Sequence, residues 1–237
     1  MDLELSDVLD VEALAREYAK RKRGQVKGFL KPRSAERLYQ FLREETPWGL
    51  VYNNKTDVIE LPNEKVRQMG PDQMQSLYRD VYARASKNYQ YLYYYYPILT
   101  SYLSEKNRDF FLHRVLEFVN SGPVLEFVRK LTGIDDIIKA DGQATLFQQN
   151  NFLHLHHDED TEEGWRCAYV INLTKKWSPN WGGYLQFFDE NEDIEDAFIP
   201  IYNTLNIFTV PQAHSVSYVP LFADGARLSI TGWFRYK

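Results

Sequence analysis

His156, His157 and Asp158 follow one another, His214 stands alone further on, and Arg227 opens the strand-like run RLSITGWF. Residues two apart in an extended strand share a face, so His156 and Asp158 can converge on one ion while His157 turns away. His214 is the only histidine after residue 157 and can bring a third ligand from a distant segment. Two imidazoles and a carboxylate can occupy one face of an iron ion, leaving the other open for a co-substrate and oxygen. Catalytic zinc more often takes three histidines, or two with a glutamate, which disfavours zinc. The competing pair His157 and Glu159 would use a longer carboxylate arm. Alternation puts Arg227, Ser229 and Thr231 on one face of their run. A buried arginine needs an anion, and a guanidinium fork fits the carboxylate of a co-substrate.

The elements that must hold these residues change character along the chain. The first half reads as helical. A helix with the apolar stripe Leu38, Phe41 and Leu42 follows Ser34, its expected N-cap. The spacing of Met74, Leu77, Tyr78, Val81, Tyr82 and Ala85 after Pro71 predicts a helix over about 71–87. A third runs from about Gly122 to Thr132, with Gly133 as its stop. Residues 48–61 read as a hairpin around Asn53-Asn54-Lys55. His113, among bulky apolar residues in FFLHRVLEF, reads as a packing histidine on a helix.

The second half switches to short β-type runs: 144–147, 166–173, 183–188, 204–210, 214–219 and 227–234. Turn clusters such as Ser178-Pro179-Asn180 separate them, which implies a sandwich or jelly-roll barrel. The expected architecture is α+β, a single domain over 1–237. Residues 1–139 are mainly helical support and 140–237 the metal-binding β core.

Composition narrows the function classes. The chain has 237 residues and a formal net charge of −5, so no basic surplus exists to neutralise nucleic-acid phosphates. The run Lys20-Arg21-Lys22-Arg23 reads as a solvated helix end. The beginning, MDLELSDVLD, lacks a signal-peptide pattern, and no apolar stretch is long enough for a membrane span. Cys167 is the only cysteine, which excludes an internal disulfide and fits a reducing, cytoplasmic setting. Oligomeric state cannot be read. Seventeen tyrosines are present, many of them in Tyr89–Tyr96. That cluster could line a substrate channel or form a packing layer between helices and sheet. Asp160–Trp165 could act as a lid or as an ordinary solvated connection.

Over about 140–237 the chain resembles the Fe(II)/2-oxoglutarate-dependent dioxygenases of the prolyl 4-hydroxylase-like branch. Among these it looks closest to the ribosomal-protein prolyl hydroxylase group. The resemblance rests on FLHLHHDED, then Trp177 to Phe188 (W-x-x-x-W-G-G-Y-L-Q-F-F), then Asn203–Phe208, then His214-Ser-Val and RLSITGWF. It implies a double-stranded β-helix (jelly-roll) core with N-terminal flanking helices. It also implies Fe(2+) on His156, Asp158 and His214, with 2-oxoglutarate and O2 as co-substrates and ascorbate as reductant. Arg227 would pair with the distal carboxylate of 2-oxoglutarate. Relatives usually place a tyrosine where this chain has Asn172, so Asn172, Tyr169 and Thr231 are the candidates for the second carboxylate anchor. His154, Trp165 and Tyr184 are candidates for lining the substrate site. The implied activity is hydroxylation of a proline-like group, on a protein or on a free amino acid or other small metabolite. A jelly-roll binding protein without turnover is the alternative from another class.

Overall fold

The computed structural model describes residues 3–55, 57–105, 107, 109–158 and 162–237. Its helices are α1 (Val11–Arg21), α2 (Pro32–Glu44), α3 (Asn63–Gln68), α4 (Pro71–Ala85), α5 (Ile98–Leu103), α6 (Phe111–Val119) and α7 (Gly122–Thr132). The strands are β1 (Arg23–Lys27), β2 (Gly49–Asn54), β3 (Asp57–Leu61), β4 (Tyr91–Tyr96), β5 (Lys139–Ala140), β6 (Gln143–Phe147) and β7 (Phe152–His156). They continue as β8 (Trp165–Asn172), β9 (Leu185–Phe188), β10 (Ile194–Phe198), β11 (Thr204–Thr209), β12 (His214–Val216) and β13 (Arg227–Arg235). No helix among the described residues is long and apolar enough to cross a membrane.

All strands join one antiparallel sheet in the order β1-β11-β8-β13-β6-β4-β7-β12-β9-β10, with the β2–β3 hairpin laid on β4 and β5 on the end of β13. The sheet curls until its two ends face each other. Ala168 and Val170 of β8 and Phe208 of β11 meet Leu185 and Phe187 of β9 in one inner apolar cluster. Arg23 on edge strand β1 closes the curl. Its Nε donates to Asp196 Oδ2 on edge strand β10 at 3.0 Å, and its guanidinium lies 4.7 Å over the Phe187 ring. The basic run is therefore not simply a solvated helix end, because Arg23 is buried at 8% exposure.

The helices cover the outer face of one half of the sheet. The period-2 alternation of β8 sends Cys167, Tyr169 and Ile171 out toward them and Ala168 and Val170 inward. Leu38, Phe41 and Leu42 of α2 and Val124, Val128 and Leu131 of α7 join that outer core. A buried Leu or Phe contributes roughly 1.5–3 kcal/mol by leaving water. Helix α2 starts at Pro32, earlier than expected, because proline at N1 needs no capping donor. Ser34 lies inside the first turn, and its Oγ accepts the Glu4 N–H at 3.0 Å. The tyrosine-rich run is itself strand β4, inserted between β6 and β7. Val81 of α4 packs with Leu50, Leu92 and Phe152, supporting this insertion from behind.

Candidate metal and co-substrate site

Strands β7 and β12 lie side by side with His156 opposite His214. That register brings the two rings to 4.2 Å between centroids. Asp158, just beyond β7, turns its carboxylate between them, with Oδ1 3.5 Å from His156 Nε2 and Oδ2 3.6 Å from His214 Nε2. One ligand-type atom from each residue lies within 4.8 Å of the others, a group that could hold a metal ion. The opposite edge of each ring is tied down. His156 Nδ1 lies 2.9 Å from the His154 carbonyl and His214 Nδ1 2.8 Å from the Gln212 carbonyl. A carbonyl only accepts, so each Nδ1 carries the proton and each Nε2 presents a lone pair, the tautomer a metal requires.

Electrostatics favour the same protonation states. Burial, with His156 close by, lowers the His214 pKa to about 4, so its ring is neutral near pH 7. Burial alone would raise the Asp158 carboxyl. Contacts with His156, His214 and Trp233 outweigh it and hold Asp158 below the usual carboxylate range. Trp233 Nε1 donates to Asp158 Oδ2 at 2.9 Å, and the Trp233 indole is stacked 4.2 Å from Trp165.

Arg227 shares this cavity, which measures about 490 Å³. The side chain is 2% exposed, its Nε has no hydrogen-bond partner among the described residues, and its guanidinium lies 5.1 Å from the Phe147 ring centroid. Burial lowers its pKa to about 10, so it remains a cation at neutral pH. The W…GG segment shapes this end. Gly182 and Gly183 both have positive φ, at 60° and 65°, and Trp177 Nε1 donates to the Gly182 carbonyl at 2.8 Å. A Cβ on Gly183 would sit 2.8 Å from Trp177 and 3.5 Å from Arg227 Cδ, so glycine there lets the Trp177 ring and Arg227 pack closely.

The remaining sequence candidates divide. Trp165 and Thr231 line the cavity. Tyr169 also contributes to the cavity lining, but its side chain turns toward the helical core and its hydroxyl donates to the Asp141 carbonyl at 2.7 Å, so that hydroxyl is already engaged. Asn172 does face inward opposite Ser229, but it is fully buried behind the cavity lining. Its Nδ2 is 3.4 Å from the Thr204 carbonyl and its Oδ1 has no partner. Tyr184 points away from the cavity, because alternation in β9 sends Leu185 and Phe187 inward, and its hydroxyl donates to the Pro179 carbonyl.

His154 also leaves the site. Between Val216 and His214 on β12 lie two steps of chain, but between their partners Leu153 and His156 on β7 lie three. This β-bulge breaks the alternation, so Leu153 and His156 both line the cavity while His154 packs against Phe152 on the outer side. His157 is exposed at the cavity rim, and Glu159 of the competing pair lies outside the described residues, as do Asp160 and Thr161 of the suggested lid.

Other lining residues were suggested only as a cluster or not at all. Tyr89, Tyr91 and Tyr93 reach the cavity, whereas Tyr94 and Tyr96 pack with the helical core, so the tyrosine run serves both suggested roles on alternating faces. Gln143 and Thr145 of β6 enter through their pairing with Thr231 and Ser229. Trp233 could have been found by carrying the alternation of Arg227, Ser229 and Thr231 one step further.

The family model of the 2OG-Fe(II) oxygenase superfamily matches residues 142–235. These residues contain the whole His156, Asp158, His214 and Arg227 constellation. Among curated relatives, the mouse prolyl 3-hydroxylase OGFOD1 is 33% identical over 115 residues, 46% of this chain. That match spans about a fifth of the mouse protein, 21% of its length. Among solved structures, a Pseudomonas putida prolyl-4-hydroxylase superposes with a TM-score of 0.59 at 15% identity, covering 96% of this chain and 99% of its own. A Trichoplax adhaerens prolyl hydroxylase, solved with a hypoxia inducible factor oxygen degradation domain peptide, gives 0.59 at 12% identity, covering 95% and 88%. The curled sheet is thus the double-stranded β-helix fold of these oxygenases.

Proposed function

We propose that the chain is an Fe(II)- and 2-oxoglutarate-dependent dioxygenase that hydroxylates prolyl residues of a peptide or protein. One observation carries this reading: a single cavity holds both the His156, Asp158 and His214 group and a buried guanidinium with no anion among the described residues. The donor set fits Fe(II), since both Nε2 atoms and one carboxylate are free to ligate. Arg227 fits a carboxylate, because an unpaired buried cation is costly until an anion reaches it. Thr231, on the same face of β13, is the nearer candidate for a second donor, and Asn172 could act only from behind it. Bound there, Fe(II), 2-oxoglutarate and O2 would supply the oxidising power that converts a C–H bond to C–OH, with succinate and CO2 as co-products.

The chain's own residues would do the rest. His156 and His214 keep their Nδ1 protons on backbone carbonyls throughout. Trp233 holds the Asp158 carboxylate in place, and the apolar walls exclude water. The lining also bears on substrate class. Apart from histidines, Asp158 and Arg227 carry the only formal charges among the described lining residues. A free amino acid would bring an ammonium and a carboxylate needing partners of their own, whereas a peptide proline brings neither. Val58, 62% exposed, and Tyr89, 43% exposed, give the mouth an apolar rim suited to a prolyl ring. A single domain in a reducing, cytoplasmic setting, with ascorbate keeping the iron reduced and no nucleic-acid or membrane partner, completes the proposal.

The test is succinate release with Fe(II), 2-oxoglutarate and ascorbate, followed by mass spectrometry for a +16 Da gain on prolyl peptides. Turnover with free proline but no peptide would favour the small-metabolite reading. No metal binding and no turnover would leave a non-catalytic binding protein.

A further inference from the structure

A groove of about 480 Å³ lies on the outer side of the strands whose inner side carries His156 and His214. Its aromatic walls come from separate elements: Tyr82 from α4, Phe152 and His154 from β7, and Tyr218 from beyond β12. Centroid separations are 6.1 Å for Tyr82–Phe152, 6.4 Å for Phe152–Tyr218 and 6.5 Å for Tyr82–Tyr218, with ring planes inclined by 32°, 45° and 69°. Tyr82 and Tyr218 form a corner, with Phe152, 5% exposed, as the floor behind them. For rings inclined by 69° with centroids 6.5 Å apart, as in the Tyr82–Tyr218 pair, a point on both ring axes lies about 5.7 Å from each centroid, inside the ~6 Å reach of a cation–π contact.

The corner is held before any ligand arrives. Tyr82 donates its hydroxyl to the Asn150 carbonyl at 3.0 Å, and Tyr218 donates to Asn150 Oδ1 at 2.8 Å. One residue therefore fixes two walls, which lowers the ordering cost of binding. Charge points the same way. Glu192 carries the only formal charge among the described lining residues, and it belongs to the acidic turn Asp189-Glu190-Asn191-Glu192-Asp193. The nearby arginines are engaged elsewhere, Arg21 with Asp196 and Arg23 with Glu195 and Asp196. Beside the rings, Ala85, Leu155 and Val216 offer an apolar track along which a methylene stem can lie.

We propose that this groove binds a lysine side chain of a peptide partner, its ammonium between the Tyr82 and Tyr218 rings and toward Glu192, with buried Phe152 as the floor behind them. The stem-and-head shape favours lysine over a small quaternary ammonium, which would leave the apolar track bare. The site is separate from the metal and co-substrate cavity and does not depend on turnover.

Calorimetry on the full chain without iron tests it, with a blocked pentapeptide carrying one central lysine, its dimethyl-lysine form and its norleucine analogue. Both lysine forms should bind, and norleucine should bind at least about tenfold more weakly. Tyr218→Ala should weaken lysine binding about 5- to 30-fold, the range of a desolvated cation–π contact. Glu192→Gln should weaken it a few-fold and reduce its salt dependence. Arg227→Met should leave it unchanged. Equal binding of lysine and norleucine, or no binding of any peptide, would overturn the proposal. So would loss of binding in Arg227→Met, which would put the peptide in the inner cavity.

Discussion

At one end of the cavity the protein satisfies itself. His156 and His214 each have Nδ1 tied to a backbone carbonyl, and Asp158 accepts the Trp233 indole N–H. At the other end Arg227 lies 2% exposed, with no partner for its Nε and no anion among the described residues. The first arrangement is preorganised: three ligand-type groups are held by hydrogen bonds with donor atoms within 4.8 Å of one another. The second is incomplete, a buried cation whose cost only a ligand can offset. In the proposed function, the first end would hold a metal ion and the second would receive a carboxylate.

Four substitutions would break or sharpen that contrast. Asp158→Ala should have the largest effect, removing the only anion of the preorganised end and weakening Fe(II) or Mn(II) binding on the order of 100-fold or more. Anaerobic calorimetry measures this, and unchanged affinity would undo the assignment of that end. Arg227→Met comes next. It should weaken 2-oxoglutarate binding by about 1.5–3 kcal/mol, a charged hydrogen bond lost. Without co-substrate it should leave the melting temperature unchanged or higher, since an unpaired buried charge is gone. A lower Tm with the co-substrate-induced shift retained would mean that Arg227 is structural.

Trp233→Phe keeps a ring against Trp165 but removes the N–H on Asp158, so metal affinity should fall about tenfold with the fold intact. No change in the metal titration would show that Asp158 needs no clamp. The smallest effect concerns the support behind Trp233. Burial raises the Asp141 pKa to about 6, and its Oδ1 accepts the Trp233 backbone N–H at 2.8 Å. With the folded pKa above the ordinary 3.8, the stability from this group is lost as pH rises through about 6. His214 works in the opposite sense. Its folded pKa of about 4 lies below the usual 6.5, so the unfolded chain gains protons first and stability falls as pH drops between those values. Asp141→Asn keeps the backbone hydrogen bond and removes the first slope. Urea midpoints between pH 4 and 7 should then fall more steeply on acidification than in the parent protein. Parallel curves would place the Asp141 charge outside this balance.

How far the residues disclosed this molecule differs by region. In β13 strict alternation holds, so Arg227 and Thr231 were legible as one face, and Trp233 would have followed from the same rule. In β7 the rule fails at the bulge between Leu153 and His156, which no residue type announces, and His154 goes to the outer side. Tyr184 was plausible by chemistry but points away from the cavity, and Tyr169 reaches the cavity lining with its hydroxyl already given to the Asp141 carbonyl. The tyrosine run declared its importance without its geometry, since a strand inserted between β6 and β7 gives each residue a role by parity alone.

The order His156, Asp158, His214 and Arg227 is determined by the sequence itself, because ligand chemistry depends on residue type and a β-rich half can bring such segments together. Face, depth and partnership belong to the tertiary structure. They depend on strand register, on one extra residue in β7 and on which hydroxyls are already engaged, all of them long-range facts. The Tyr82 and Tyr218 corner, with Phe152 as its floor, is the extreme case. Its rings come from a helix, a strand and a loop far apart in the chain, and only folding places them over a common space.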